Sequence, residues 1–236
     1  MTQQSMPGEA ELAFLGRVAN ASGRRQFLQW AGLTVGVLAL GCSDDNGSGP
    51  NPASVDLGSG DTGVLNYAYA LEQLEAAFYT QVAAAFYSGI TAEEQQILTD
   101  IKGHEVIHRD FLKAALGSAA IADLSVDFSG IDFTSRTSVL TAAQTFEDLG
   151  VSAYNGAGRL ITSPDYLLVA GKIVSVEARH ASAIRDLLAP DTAAFAGDDV
   201  VTVDTGLDGA NAPATVLAAA DSYVTTTIDA SHLPTA

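Results

Sequence analysis

The chain has 236 residues, 47% of them hydrophobic, which is enough for one sizeable core or two small ones. Its formal net charge of −17 gives a surface that repels phosphate backbones, so we expect no nucleic-acid partner. Cys42 is the only cysteine, which excludes a disulfide within the chain and any iron site built from two CxxC pairs.

The first 42 residues have the pattern of a targeting segment, and we leave them out of the fold. The stretch GRRQFLQ contains adjacent Arg24 and Arg25 followed by apolar residues, which is typical of a twin-arginine export signal. The apolar run at residues 30–41 would span roughly 18 Å as a helix, too short for a hydrocarbon core of roughly 30 Å. It ends in LALGC, which resembles a lipoprotein box with Cys42 as the lipidated residue; the alternative is an ordinary cleaved signal with an incidental cysteine. We therefore predict an exported periplasmic or cell-envelope protein that contacts the membrane by a lipid anchor only.

Residues 43–62 are rich in Gly, Ser, Asp and Pro and predict a flexible tether. Helical periodicity follows and predicts four helices. The first covers residues 64–87, and the second runs from the Thr91–Glu94 capping box to Gly117. The third covers residues 135–159, and the fourth runs from Ser163-Pro164 to just before Pro190. Residues 190–236 predict a C-terminal appendage with a strand at VVTV, residues 200–203, and a short helix near residues 214–224.

The loop lengths predict how the helices are connected. Helices one and two are joined by a few residues, as are helices three and four, so each pair should be an antiparallel hairpin. The 18 residues between helices two and three, GSAAIADLSVDFSGIDFT, could reach roughly 60 Å, against about 38 Å for a helix of this length. The fold class that we expect is therefore all-α, a four-helix bundle over residues 63–189 with a long crossover and an irregular C-terminal appendage.

Each predicted helix has an apolar stripe that ionisable residues interrupt near its middle. The interrupting residues are Glu72, Glu105, His108, Glu147, Glu177 and His180. The rise per residue brings the four glutamates to one layer, within roughly 3 Å along the bundle axis. Four carboxylates in an apolar core would cost several kcal/mol each unless they were protonated or neutralised. Two divalent cations would balance their charge, with the two neutral histidines as nitrogen ligands, and we predict two iron or manganese ions.

The two halves of the bundle repeat this plan. LEQLEAAFY aligns with FEDLGVSAY, which places Glu72 on Glu147, and HEVIH aligns with VEARH, which places His108 on His180. The stretch HEVIH also matches the H-E-x-x-H helix of zinc proteases. The extended protease pattern fails, however, and no glutamate follows Glu105 until Glu147. We therefore favour a repeated Glu-x-x-His and interpret His104, which aligns with Val176, as incidental.

Tyr79 and Tyr154 lie two turns after their glutamates on the same helix faces, so they are candidate catalytic residues. Each could donate a hydrogen bond to a ligand carboxylate or be oxidised; the alternative is a core tyrosine with a satisfied hydroxyl. Glu75 and Asp148 have no acidic counterparts in the opposite half, so we interpret them as lying behind the ligands or at the surface.

At these residues the chain resembles the ferritin-like superfamily, whose di-metal site takes a Glu from each of two helices and a Glu-x-x-His from each of the other two. The resemblance covers residues 64–188, and all six ligand positions are filled. The sequences LEQLEAAFY, HEVIHRDFL and VEARHASAIRDL most resemble those of exported bacterial ferritin-like proteins related to plant desiccation-associated proteins. The resemblance implies that Glu105 and Glu177 bridge the metals, with Glu72 and Glu147 terminal.

Two functions are compatible with this pattern. Paired metals with such ligands commonly react with O₂ or peroxide, which favours an exported di-metal oxidoreductase: a peroxidase, a manganese-catalase-like dismutase or a ferroxidase. The alternative is a non-catalytic stress or desiccation-type envelope protein in which the metals only tie the helices together. The partner that we expect is a small oxidant such as O₂ or H₂O₂, with a homodimer left open.

Overall fold

A computed structural model describes residues 54–235, and this part of the chain is the predicted all-α bundle. Its four long helices are α1 (Gly60–Ala84), α2 (Ala92–Leu116), α3 (Arg136–Gly158) and α4 (Pro164–Leu188), and a short fifth helix is α5 (Pro213–Ala220). Single 3-10 turns lie at Gly117–Ala119 and Ala194–Ala196, and the two-residue strands β1 (Val55–Asp56) and β2 (Ile228–Asp229) pair in parallel. The predicted signal segment, its candidate lipidation site Cys42 and tether residues 43–53 lie outside the described residues.

Side-chain caps set the first residues of three of the helices. The hydroxyl of Thr91 accepts a hydrogen bond from the N–H of Glu94 at 3.1 Å, and the Glu94 carboxylate accepts one from the N–H of Thr91 at 2.9 Å. Ser135 and Ser163 cap α3 and α4 in the same sense, and Pro164 occupies the first turn of α4. Such caps satisfy N–H groups that no helical carbonyl can reach. The predicted limits of these three helices are correct to within a residue or two.

The limits of α1 differ from the prediction at both ends. The helix begins at Gly60 and ends at Ala84, because Ala85 adopts an extended conformation and the chain turns so that Tyr87 is buried. Ahead of the helix, Leu57 is fully buried and β1 pairs with β2. The predicted flexible tether is therefore wrong for residues 55–62, which belong to the folded bundle.

The crossover between α2 and α3 is attached along α1 by two amide side chains. Asn66 donates to the carbonyl of Ala119 at 2.9 Å and accepts from the N–H of Ile121 at 3.0 Å. Two turns further along α1, Gln73 accepts from the N–H of Leu124 at 2.7 Å. The crossover thus advances in the same direction as α1 and reaches the far end of the bundle before α3 begins. Helices α1 and α2 form one hairpin and α3 and α4 the other, as predicted.

An aromatic cluster joins the helices to the crossover and to the C-terminal segment. The ring of Phe78 on α1 lies 5.0 Å from that of Phe146 on α3, and 5.8 and 5.9 Å from Phe128 and Phe133 of the crossover. Tyr223, beyond α5, packs edge-on against Phe146 at 4.8 Å. Edge-to-face pairs at these distances are favourable. The C-terminal segment therefore shares the core of the bundle.

The C-terminal segment contains the predicted short helix, α5, but the strand predicted at residues 200–203 is wrong. Val201 forms only an isolated antiparallel bridge with Asp208. The chain reverses directly after it, where the N–H of Gly206 donates to the carbonyl of Thr202 at 2.8 Å and Gly206 has a φ of +66°. Val203 is 76% exposed, so the apolar run does not face a core. Within residues 54–235, no helix combines the length and the apolar character needed to cross a membrane.

Candidate metal centre

Six polar side chains meet in the middle of the bundle. They are Glu72 from α1, Glu105 and His108 from α2, Glu147 from α3, and Glu177 and His180 from α4. The four glutamates are 0–1% exposed. Because the helices lie side by side, equal distances along them from the two hairpin turns bring these residues to one layer. The structure therefore brings together all six residues that the sequence singled out.

The six side chains form two overlapping groups. The first group is Glu72, Glu105, His108 and Glu177, and the second is Glu105, Glu147, Glu177 and His180. Within each group, one donor atom from every residue lies within 4.8 Å of the others. Glu105 and Glu177 belong to both groups, which is the position that bridging carboxylates would occupy.

The Nδ1 atom of each histidine faces the carboxylates. For His108, Nδ1 lies 2.8 Å from the nearest oxygen of Glu177, 3.5 Å from Glu105 and 3.6 Å from Glu72. For His180, the corresponding distances to the three glutamates of its own group are 2.8, 3.0 and 3.4 Å. Each imidazole therefore contacts one glutamate of its own side and both of the shared glutamates.

Most of these short contacts are not hydrogen bonds. The atoms that are buried without a hydrogen-bond partner in the described chain include Nδ1 of His108, both oxygens of Glu105 and one oxygen each of Glu72, Glu147 and Glu177. Buried polar atoms normally have partners. Ligand atoms that each lie roughly 2.1 Å from a common ion are roughly 3 Å apart. The orphaned atoms thus have the spacing of donors to shared metal ions, and the residues present fit two divalent cations.

Two tyrosines fix the orientation of the outer carboxylates, those of Glu72 and Glu147, which each belong to one donor group only. The hydroxyl of Tyr79 on α1 donates to Oε1 of Glu147 on α3 at 2.5 Å, and that of Tyr154 on α3 donates to Oε1 of Glu72 on α1 at 2.5 Å. The Oε2 atoms of the same two glutamates face the histidines. Burial, followed by the neighbouring carboxylate charge, raises the pKa of both tyrosines and keeps their phenols protonated. Each tyrosine therefore turns one carboxylate oxygen away and leaves the other for the site.

The cluster holds protons tightly. Burial raises the pKa of Glu72, and it raises that of Glu147 to about 8. Burial alone would lower the pKa of His180, but its close contacts with the carboxylates of Glu105 and Glu147 outweigh burial and raise that pKa to about 12. The pKa of His108 rises to about 12 for the same reason. Protons on the imidazoles place positive charge among the carboxylates, where the charge balance calls for cations.

A fifth buried glutamate lies at the site, which decides between the two positions that the sequence left open for it, behind the ligands or at the surface. Glu75, one turn after Glu72, is 4% exposed, and burial followed by the charges of Glu105 and Glu177 raises its pKa well above the ordinary value. Its counterpart in the second half is Gly150, where an added Cβ would lie 2.9 Å from Oε1 of Glu75. The glycine thus makes room for the carboxyl group. The alignment of Glu75 with a glycine, one turn after a predicted ligand, was the signal in the sequence that could have favoured the buried position.

His104 lies outside the set of ligands, as the sequence indicated, but it does contact a ligand histidine. Its Nδ1 lies 2.9 Å from Nε2 of His180, and the two rings are nearly parallel, with an interplanar angle of 5°. His104 belongs to neither donor group, and only His108 of the HEVIH stretch faces the carboxylates. The two histidines of HEVIH therefore do not converge on one ion, as they would in a zinc protease.

A pocket of about 240 Å³ opens between α2 and α4 beside these histidines. Its lining comprises His104, Ile107, His108, Val176, Arg179 and His180. Ile107 is 63% exposed, so the pocket reaches the surface. Through this pocket, a small molecule could approach the imidazoles of both His108 and His180.

Asp148 lies away from the cluster and holds the C-terminal segment in place. Its two carboxylate oxygens accept hydrogen bonds from Arg185 on α4 at 2.9 and 2.7 Å, and Arg185 also donates to Asp199 at 2.8 and 3.1 Å. Gly156 on α3 is in contact with the backbone of Asn211. These residues explain how the chain beyond α4 is attached to the bundle.

Comparison with known proteins agrees with this architecture. A family model described as a ferritin-like domain matches residues 60–190, more than half of the chain. The match begins with the first residue of α1 and ends two residues after α4, so it covers all six clustered residues. No curated protein matches the chain. The family match, the paired hairpins and the shared carboxylates together show that the chain belongs to the ferritin-like domain family.

Proposed function

We propose that the protein is an exported di-metal oxidoreductase that binds two iron or manganese ions and acts on O₂ or H₂O₂. The observation that supports this most directly is the pair of donor groups that share Glu105 and Glu177. Glu72 and His108 would complete the ligands of one ion, and Glu147 and His180 those of the other. Iron or manganese held by carboxylates and imidazoles supplies the electrons for reactions with dioxygen or peroxide.

The residues around the six ligands would admit a small oxidant and control protons. The pocket between α2 and α4 is large enough for molecules of the size of H₂O₂ and is lined by both ligand histidines, whereas the four glutamates are buried. Tyr79 and Tyr154 hold the outer carboxylates, and their buried phenols are also the side chains nearest to the ligands that could be oxidised. The carboxyl group of Glu75 can hold a proton beside the shared glutamates.

We propose, from the twin-arginine pattern at Arg24 and Arg25, that the folded protein is exported to the periplasm or cell envelope, and that Cys42 carries a lipid anchor. Export in the folded state would allow the metal ions to be inserted in the cytoplasm. Within the ferritin-like family, the amino-acid sequences of the helices favour the exported bacterial branch related to plant desiccation-associated proteins.

A non-catalytic stress protein with structural metals is the second candidate. The observation that favours it is that the six ligands come from all four helices and are almost completely buried. Ions bound there would tie the hairpins together, and closed coordination would leave no position for a substrate.

The two candidates are separated by assays on the full chain loaded with iron or manganese. A dismutase converts two H₂O₂ into O₂ and two H₂O, which an oxygen electrode follows; Fe(II) oxidation and peroxide-dependent oxidation of a dye test the other two activities. The control is the Glu105→Gln, Glu177→Gln double variant, which should bind neither ion. Two bound ions without any turnover would favour the structural role. Unchanged metal content in the double variant would overturn the ligand assignment.

A further inference from the structure

The two halves of the metal centre are alike in their ligands but differ beside the histidines. Nε2 of His180 lies 2.9 Å from Nδ1 of His104, which is on the neighbouring helix α2. The position of α4 that corresponds to His104 is Val176, whose side chain can neither donate nor accept a hydrogen bond. In the part of the chain that the structure describes, no group hydrogen-bonds Nε2 of His108.

A neutral imidazole carries one N–H and one lone pair, and a metal takes the lone pair. Nδ1 of His180 faces the carboxylates of Glu105, Glu147 and Glu177, so its lone pair must be on Nδ1 and its proton on Nε2 when it binds an ion. Nδ1 of His104 is an acceptor at hydrogen-bond distance from that proton. Such partners of metal-binding histidines fix the tautomer and the ring orientation.

We propose that His104 is a positioning residue for His180 and that it makes the two metal positions inequivalent. By accepting the Nε2–H of His180, His104 holds that imidazole ready to bind, so the ion beside Glu147 and His180 is held more tightly. The ion beside Glu72 and His108 has no such support and is the more readily exchanged. The side chain of His108 is also the more exposed of the two imidazoles, at 12% against 6% for His180. This inference rests on the proposed function in that both positions must bind metal.

The inequivalence can be measured without reference to activity. Metal-free full chain is titrated with Mn²⁺ by calorimetry and with Co²⁺ by absorption spectroscopy, which report affinity and ligand geometry for each binding step. Wild-type protein should bind two ions in two distinguishable steps. His104→Ala should weaken the tighter step about 10- to 100-fold and leave the weaker step unchanged.

Two further variants separate positioning from a general structural effect. His104→Gln, which again offers an acceptor, should recover part of the lost affinity, and Val176→His should strengthen the weaker step by giving His108 a partner. Ile107→Ala, at an exposed residue of the same pocket, is the matched control and should change neither step. Equal binding steps in wild-type protein, or an equal loss at both steps in His104→Ala, would overturn the inference and leave the proposed function standing. Absence of any bound ion in wild-type protein would overturn both.

Discussion

Gly150 on α3 leaves the space that the carboxyl group of Glu75 on α1 occupies. A Cβ at Gly150 would lie 2.9 Å from Oε1 of Glu75, closer than unbonded carbon and oxygen atoms can approach without a shift. The glutamate is buried and lies near four other carboxylates, so this side chain adds a fifth acidic group to the core. The pairing also breaks the symmetry of the two halves, on the α1–α3 side of the cluster.

The Glu75→Gln variant should be more stable than the wild type in the metal-free state, and the difference should grow with pH. The folded protein holds a proton on Glu75 where the unfolded chain has lost it, because burial raises the pKa. The free energy of unfolding therefore falls as pH rises above the ordinary glutamate value, and glutamine removes this dependence. Thermal unfolding at pH 5 and pH 8 measures the effect, and we expect a gain in Tm of at least about 2 °C at pH 8. Glu93→Gln, at an exposed residue of α2, is the control; an equal change in both variants would contradict the prediction.

The metal-free protein as a whole should lose stability between about pH 5 and pH 9. Glu147 retains its proton up to a pKa of about 8 instead of 4.5, and the two histidines retain theirs up to about 12 instead of 6.5. The folded state therefore binds more protons than the unfolded state over this range, and its stability falls as pH rises. Glu105, whose pKa is lowered to about 2, contributes stability that is lost only as pH falls below about 4.5. A Tm that rises toward pH 9 would show that these protons are not held.

Metal binding should expel protons from the cluster. Histidines and carboxylates must give up their protons before they can act as ligands. We expect at least about two protons to be released per chain at pH 7, because both histidines are protonated there in the metal-free protein. Titration with Mn²⁺ in weakly buffered solution with an indicator dye measures the release. The Glu105→Gln, Glu177→Gln variant should release few protons; binding without proton release in wild-type protein would contradict the charge balance.

Tyr79→Phe should destabilise the metal-free protein because it leaves Oε1 of Glu147 buried without a donor. The expected loss is about 1–3 kcal/mol, and Tyr154→Phe should behave in the same way. Tyr87→Phe is the matched control, since the hydroxyl of Tyr87 is buried without a hydrogen-bond partner in the described chain. Urea unfolding of the three variants measures the difference. Equal midpoints for Tyr79→Phe and Tyr87→Phe would show that the carboxylate contact contributes nothing.

Gly156→Ala should release the C-terminal segment from the bundle. A Cβ at Gly156 would lie 1.8 Å from the carbonyl oxygen of Asn211, and a backbone atom cannot move aside as a flexible side chain can. The N–H of Asn211 also donates to the carbonyl of Ser152 at 3.0 Å, and this bond would be lost. We expect a loss of about 1–3 kcal/mol and faster proteolysis beyond α4. Gly171→Ala is the control, because open space surrounds that position and alanine should stabilise the helix by about 0.5–1 kcal/mol.

Features that depend on local periodicity and on helix caps could be predicted from the sequence. The starts of α2 and α4 follow from Thr91 and Ser163, and the clustering of the glutamates follows from the rise per residue and the hairpin turns. Features that depend on distant parts of the chain could not. The contact of His104 with His180 joins residues 76 positions apart, and a pattern within α2 does not reveal it. The strand predicted at residues 200–203 failed because apolar alternation alone does not show whether a core is present.

The pairing of Val55 with Ile228 joins the beginning and the end of the part of the chain that the structure describes. A ribosome must therefore synthesise almost the whole polypeptide before β1 can pair with β2. Contacts between residues so distant in sequence are also slow to form. Until then Leu57, whose N–H donates to the carbonyl of Asp229, lacks part of its surroundings. A nascent or truncated chain would thus remain unfinished at the N-terminal end of α1, whereas a completed one would form a closed domain.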